Sequence, residues 1–274
     1  MESADRPQLA RAGYEPVDGA AAARASATWW SAEAADYLQE HGTFLGDVDF
    51  CWCPEGLRES EAALLGQIAD LRTQRVLEIG AGAAQCSRWL RSQGVDAVAT
   101  DIAEGMLAAA ADLDSRTGIA VPTHVADARD LPFDDASFDT AFTAFGAIPF
   151  VPDADAVHRE VARVLRAGGR WVFSVTHPIR WAFPDDPTDA GLTAVRSYFD
   201  RTPYVETGAD AQPIYAEFHR TLGDHVRDVV GAGFSIVDLV EPQWPADNLA
   251  VWGGWGPVRG RVIPGTAILV CRLS

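Results

Sequence analysis

One turn constrains this chain more than any other feature. Val76-Leu77-Glu78-Ile79 reads as a buried strand, Gly80-Ala81-Gly82 follows at once, and a helical pattern runs from Gln85 to Gln93. Glycines there permit a sharp turn and a close backbone approach to a ligand, and the helix start presents free N–H groups. A lone G-x-G is a weak signal, but a strand before it and a helix after it supply the context that a nucleotide-type ligand needs. Asp101 closes the next apolar run, Asp96 to Thr100, 21 positions after Gly80. A carboxylate at that place is positioned to accept hydrogen bonds from ribose hydroxyls.

The alternation continues. Helix is expected over 104–116, strand over 122–126, strand over 138–144, helix over 153–166 ended by Gly168-Gly169, and strand over 170–176. Strands alternating with helices predict an α/β fold with a mostly parallel sheet and helices on both faces. Residues 178–217 break the rhythm with five prolines and no clean strand–helix unit, and read as a lid insertion. A helix over 221–232 and strands over 235–240 and 266–271 complete the pattern. Ahead of the glycine turn, residues 1–26 read as a loose arm, 27–41 as a helix with Trp30, Ala34, Tyr37 and Leu38 on one face, and 54–71 as a second helix. The division expected is 1–72 for arm and cap helices and 73–274 for the main domain.

Composition removes several classes. The 274 residues hold 22 basic side chains, all Arg, against 39 acidic ones, a formal charge of −17. That balance argues against nucleic acid and anionic membrane surfaces as partners. No stretch reaches the roughly 18 apolar residues of a membrane span, and the start lacks a signal-peptide layout. Cys51, Cys53, Cys86 and Cys271 read as reduced thiols of a cytoplasmic protein, and the histidines do not form a metal set.

Two residues bear on the ligand. A dinucleotide fingerprint wants Gly or Ala at its sixth position, where this chain has Gln85, and a pyrophosphate gains nothing from Glu78 beside it. A carboxylate there suits a cationic group. The segments Val76–Gly82, Ala99-Thr100-Asp101-Ile102 with Met106-Leu107, Val125-Ala126-Asp127-Ala128, Ser137–Phe142 and Glu160–Arg170 together resemble, in order, the motifs of class I S-adenosylmethionine-dependent methyltransferases. They look most like the small-molecule branch related to ubiquinone-biosynthesis methyltransferases, and cover roughly residues 74–177.

The resemblance implies a Rossmann-like fold with a seven-stranded sheet, an N-terminal helical extension and a lid after the fifth strand. It implies S-adenosylmethionine as cofactor and S-adenosylhomocysteine as product. Glu78, Gly80, Ala81 and Gly82 would line the methionine part, Asp101 the ribose, Ile102 and Met106 the adenine, Asp127 and Ala128 the adenine edge, and Phe145 the sulfonium. The family's third glycine is Ala84 here. His177, at the end of the fifth strand, is placed where a general base would serve, with a structural histidine as the equal alternative. Trp30, Tyr37 and Trp181 are expected in the acceptor pocket. The reading is transfer of a methyl group to the O, N or C atom of a small organic acceptor by a monomer or homodimer. A nicotinamide-dependent oxidoreductase and a non-catalytic S-adenosylmethionine- or S-adenosylhomocysteine-binding protein are the alternatives.

Overall fold

The computed structural model describes residues 9–274. In chain order the elements are β1 (Leu9–Tyr14), α1 (Gly19–Leu45), α2 (Glu59–Ala62), α3 (Ile68–Leu71), β2 (Arg75–Ile79), α4 (Gln85–Ser92), β3 (Asp96–Asp101), α5 (Glu104–Thr117), β4 (Thr123–Val125) and β5 (Phe138–Ala144). There follow α6 (Ala154–Val164), β6 (Leu165–Thr176), β7 (Tyr204–Gly208), β8 (Pro213–Glu217), α7 (Leu222–Gly231), β9 (Phe234–Val240), α8 (Pro257–Gly260) and β10 (Thr266–Leu273).

Seven strands form one sheet in the order β4-β3-β2-β5-β6-β10-β9. The first five are parallel, and β10 runs antiparallel to both β6 and β9. Both faces are buried along β2, β3, β5 and β10, which is why these strands read as continuous apolar runs rather than as alternating ones. Leu77, Ile79, Ala141, Trp171, Phe173 and Leu269 point into the layer formed with α6 and α7. Their neighbours Val76, Phe142, Val172, Ile268 and Val270 point to the other side, against Phe50, Trp52, Leu71 and Leu90.

A second, three-stranded antiparallel sheet has the order β1-β7-β8. Its strands come from the two segments read as irregular, the N-terminal arm and the insertion after the fifth strand. The arm expectation is therefore corrected over 9–26, while residues 1–8 lie outside the described residues. Helix α1 starts eight residues earlier than its apolar face suggested, because Asp18 caps it by accepting from the Ala21 N–H at 2.9 Å and an alanine-rich run follows.

Two further expectations are corrected. The helix over 54–71 is absent. Glu59, 2% exposed, accepts from the Trp52 indole N–H at 2.8 Å and from the Leu64 and Leu65 N–H groups at 2.9 and 2.8 Å. The chain winds round this carboxylate, with Ala63 and Gly66 at positive φ, and only the single turns α2 and α3 remain. Gly168-Gly169 do not cap α6. That helix stops at Val164, and the glycines sit in an irregular stretch between the Phe138–Leu165 and Thr140–Arg170 pairs.

Helix α1 packs on α5 through a close backbone approach. A Cβ on Gly105 of α5 would lie 2.2 Å from the Ser31 carbonyl oxygen, and the Gly105 N–H donates to Ser31 Oγ at 3.2 Å. Gly105→Ala is expected to destabilise the protein by about 1–3 kcal/mol in urea unfolding, although alanine favours helix, because α1 must move off α5.

Candidate functional site

The carboxyl ends of β2, β3, β5 and β6, with the loop after β4, open on one cavity of about 590 Å³. Crevices at strand carboxyl ends are where open α/β sheets bind ligands. After β2 the chain turns through Gly80 at φ 64°, Gly82 at 53° and Ala84 at 56° before entering α4. A Cβ on Gly80 would lie 2.7 Å from the Ala147 nitrogen, and one on Gly146 2.2 Å from the Gly80 oxygen, so this loop and the loop after β5 meet backbone to backbone. Ala84 keeps the left-handed geometry of the missing third glycine, at a strain of about 1 kcal/mol. Phe145 and Ala147 are also left-handed, and the Phe145 N–H is held by the oxygens of Ser174.

Three carboxylates face this turn. Glu78 is 3% exposed, and its Oε2 accepts from the Ser87 N–H in the first turn of α4 at 2.9 Å. Burial pushes its pKa up to about 7, against the pull of the Ser87 hydrogen bonds and the nearby Arg88. Asp101 accepts from the Gly82 N–H at 2.7 Å and from the Ala103 N–H at 2.8 Å, one on each oxygen, and lines the cavity. Burial raises its pKa to about 6. Asp127 is different. Burial there is outweighed by the Arg129 side chain and N–H, which hold the carboxyl below its usual value. Arg88, fully buried, ties the turn to its surroundings by donating to the Ala83 and Ala110 carbonyls and to Asp114.

The cavity lining contains Glu78, Gly80, Ala81, Gly82, Asp101, Ile102, Met106, Asp127, Ala128 and Phe145, and also Trp30, Tyr37 and Trp181. His177 is the exception and is corrected. It does not line the cavity. Its Nδ1 accepts from the Ile179 N–H at 3.1 Å, its Nε2 lies 2.9 Å from Glu241, and it caps the short helical turn Pro178–Ala182. Burial lowers its pKa against the pull of Glu241. Cys86 is no activated thiol either, since burial and Glu78 push it well above its usual range.

Sequence reading missed the other half of the lining: Tyr14, Arg180, Tyr204, Glu206, Tyr215 and Glu217. The signal was present as period-2 spacing, Tyr204 with Glu206 and Tyr215 with Glu217, on either side of the turn residues Gly208-Ala209-Asp210. Aromatic rings close the space above the glycine turn. Trp30 meets Tyr37 and Phe150 edge-on at 5.6 and 5.5 Å, and Trp252 stacks on His41 at 3.8 Å.

Residues 77–173 match a family model described as a methyltransferase domain. The chain is 42% identical over 198 residues to the demethylmenaquinone methyltransferase of Mycolicibacterium paratuberculosis, covering 70% of this chain and 72% of that one. It is 46% identical over 98 residues to the enzyme of the same name from Mycolicibacterium gilvum, covering 36% of this chain and only 40% of that one. Among solved structures it is similar in fold to Burkholderia thailandensis 1,6-didemethyltoxoflavin-N1-methyltransferase with bound 1,6-didemethyltoxoflavin and S-adenosylhomocysteine. That likeness has a TM-score of 0.58 at 18% identity and covers 98% of this chain and all of that one.

Glu78 and Asp101 hold their protons to higher pH when folded than when unfolded. Their contribution to stability is therefore present at low pH and is lost as pH rises through about 4 to 7. Buried His158 and His225, whose pKa values burial lowers, titrate in the opposite sense over the same range, so the Glu78 contribution is read as a difference between variants. In urea unfolding of the ligand-free protein, Glu78→Gln is expected to gain stability relative to wild type as pH rises from 4 to 7, on the order of 3 kcal/mol.

Proposed function

Since the chain belongs to the class I S-adenosylmethionine-dependent methyltransferases, we propose that it transfers the methyl group of S-adenosylmethionine to a small organic acceptor held in the cavity above the glycine turn. The observation that carries this reading is the pair of buried carboxylates, Glu78 and Asp101, facing a glycine cradle with no salt bridge to either among the described residues. Burying a carboxylate without a cation is costly, and a cationic ligand group reverses that cost. The same Glu78 would repel the pyrophosphate of a nicotinamide dinucleotide.

In this reading Glu78 holds the ammonium of the methionine part and Asp101 accepts from the ribose hydroxyls. Ile102 and Met106 take the adenine faces, and Asp127 with Ala128 the adenine edge. When bound, the cofactor supplies a methyl carbon already activated by a sulfonium. The chain's own contribution is then positioning and exclusion of water. Phe145 and the Gly80–Gly146 contact fix the floor, and α1 with Trp30 and Tyr37 covers it. Trp181, Tyr204 and Tyr215 bound the acceptor side. A cytoplasmic setting suits four cysteines that are all free thiols, and no described helix is long and apolar enough to cross a membrane.

Calorimetric titration with S-adenosylmethionine and S-adenosylhomocysteine tests the reading. Wild-type protein is expected to bind both in the micromolar range, and Asp101→Asn to weaken binding by about 1–3 kcal/mol. Affinity is expected to rise from pH 6 to pH 8 as Glu78 ionises, approaching tenfold per pH unit below its pKa of about 7. Failure of the folded protein to bind either ligand overturns the proposal.

A further inference from the structure

The acceptor half of the cavity has a pattern that the cofactor half does not explain. On the cavity face of the second sheet, Tyr204 of β7 stands directly opposite Glu217 of β8, and Glu206 of β7 opposite Tyr215 of β8. The four side chains form a checkerboard. Each tyrosine hydroxyl donates along its own strand, Tyr204 to Glu206 Oε1 at 2.9 Å and Tyr215 to Glu217 Oε1 at 2.6 Å. Hydroxyls committed this way hold the carboxylates in place.

The two glutamates differ in their charge partners. Glu217 is neutralised by Arg180, whose Nη1 lies 2.9 Å away and whose Nη2 lies 3.5 Å from Asp185. Glu206 takes only the Tyr204 hydroxyl, and among the described residues no cation lies within ion-pair distance of it. Arg180 is the single basic residue of a lining that also holds Asp49, Asp127, Asp185, Glu206 and Glu217 besides the cofactor pair. Asp49 and Asp127 are matched from outside the cavity by Arg58 and Arg129. The acceptor side therefore holds three carboxylates against one guanidinium, and the surplus includes Glu206.

Beside Glu206 stand aromatic rings. Tyr204 and Tyr215 lie 6.4 Å apart, and Trp29 packs on Tyr215 at 5.0 Å. Ring faces carry negative potential and attract cations, more strongly where water is excluded. An unpaired carboxylate beside such faces favours one ligand chemistry and disfavours its opposite. We propose that the acceptor carries a protonated amine bound by Glu206 between Tyr204, Tyr215 and Trp29, joined to a flat apolar body that fills the aromatic part of the cavity. Anionic acceptors are rejected by the same carboxylate. This assignment rests on the methyltransferase reading and names the acceptor class within it. Glu206 acts as an anchor, and the atom methylated lies elsewhere on the acceptor or on the amine itself.

The test uses protein saturated with S-adenosylhomocysteine, so that cofactor binding is established first. Tryptamine, neutral 3-ethylindole and anionic indole-3-propionate share one ring body, as do benzylamine, toluene and benzoate. Calorimetric titration is expected to show each amine binding at least tenfold more tightly than its neutral counterpart, with the anion weakest. Glu206→Gln keeps an acceptor for the Tyr204 hydroxyl and is expected to keep S-adenosylhomocysteine affinity while collapsing the amine preference to within about twofold. The proposal is overturned if no amine outbinds its neutral counterpart, including the case in which none binds, or if Glu206→Gln leaves the preference intact. Loss of S-adenosylhomocysteine binding in the wild type would instead remove the methyltransferase reading itself.

Discussion

The site depends on two glycine backbones meeting where β2 and β5 diverge. Gly80 and Gly146 leave no room between them for a single carbon atom on either side. That contact joins the glycine turn after β2 to the turn that carries Phe145, so neither loop can shift alone. It is reached at a conformational cost, because Ala84, Phe145 and Ala147 are all held at positive φ without being glycine. Such strain persists only where the surroundings over-determine it. Here they do. Ser174 fixes the Phe145 N–H and donates in turn to the Trp52 carbonyl, and buried Arg88 fixes the far side of the glycine turn.

Charge follows a similar division. The exterior carries many Arg–carboxylate pairs, most of them partly exposed and each worth little. The interior holds Glu55, Glu59, Glu78 and Asp101, four carboxyls pushed upward by burial. Glu59 is satisfied by three N–H donors and serves the fold. Glu78 and Asp101 instead line the cavity above the glycine turn, where a ligand can reach them.

The central sheet was legible in the sequence because its signals are local. Strand β5 was read with the observed bounds, and Asp101 was placed by spacing alone. What escaped reading was set by distant partners. Nothing near Glu59 announces that it will gather N–H donors from either side and unmake a helix whose apolar stripe is plain. Gly168-Gly169 resemble a helix stop, but the stop comes earlier, at Val164, and the glycines are absorbed into β6. His177 sits at the end of the right strand, one residue beyond Thr176, and that single step turns it away from the cavity lining. Strands β1, β7 and β8 are short and bordered by proline and glycine, and only their mutual pairing makes a sheet of them.

That pairing has a temporal side. Tyr14 lies opposite Tyr204, 190 positions later along the chain. During synthesis the first strand waits without a partner until most of the protein has emerged, whereas the parallel strands around the glycine turn find neighbours within a few tens of residues. Closing so long a loop carries an entropic cost that the near pairings do not, so this contact is expected to form after them. The half of the cavity around the glycine turn is thus built from near neighbours in the chain, and the half lined by Tyr14, Tyr204 and Tyr215 from its distant ends.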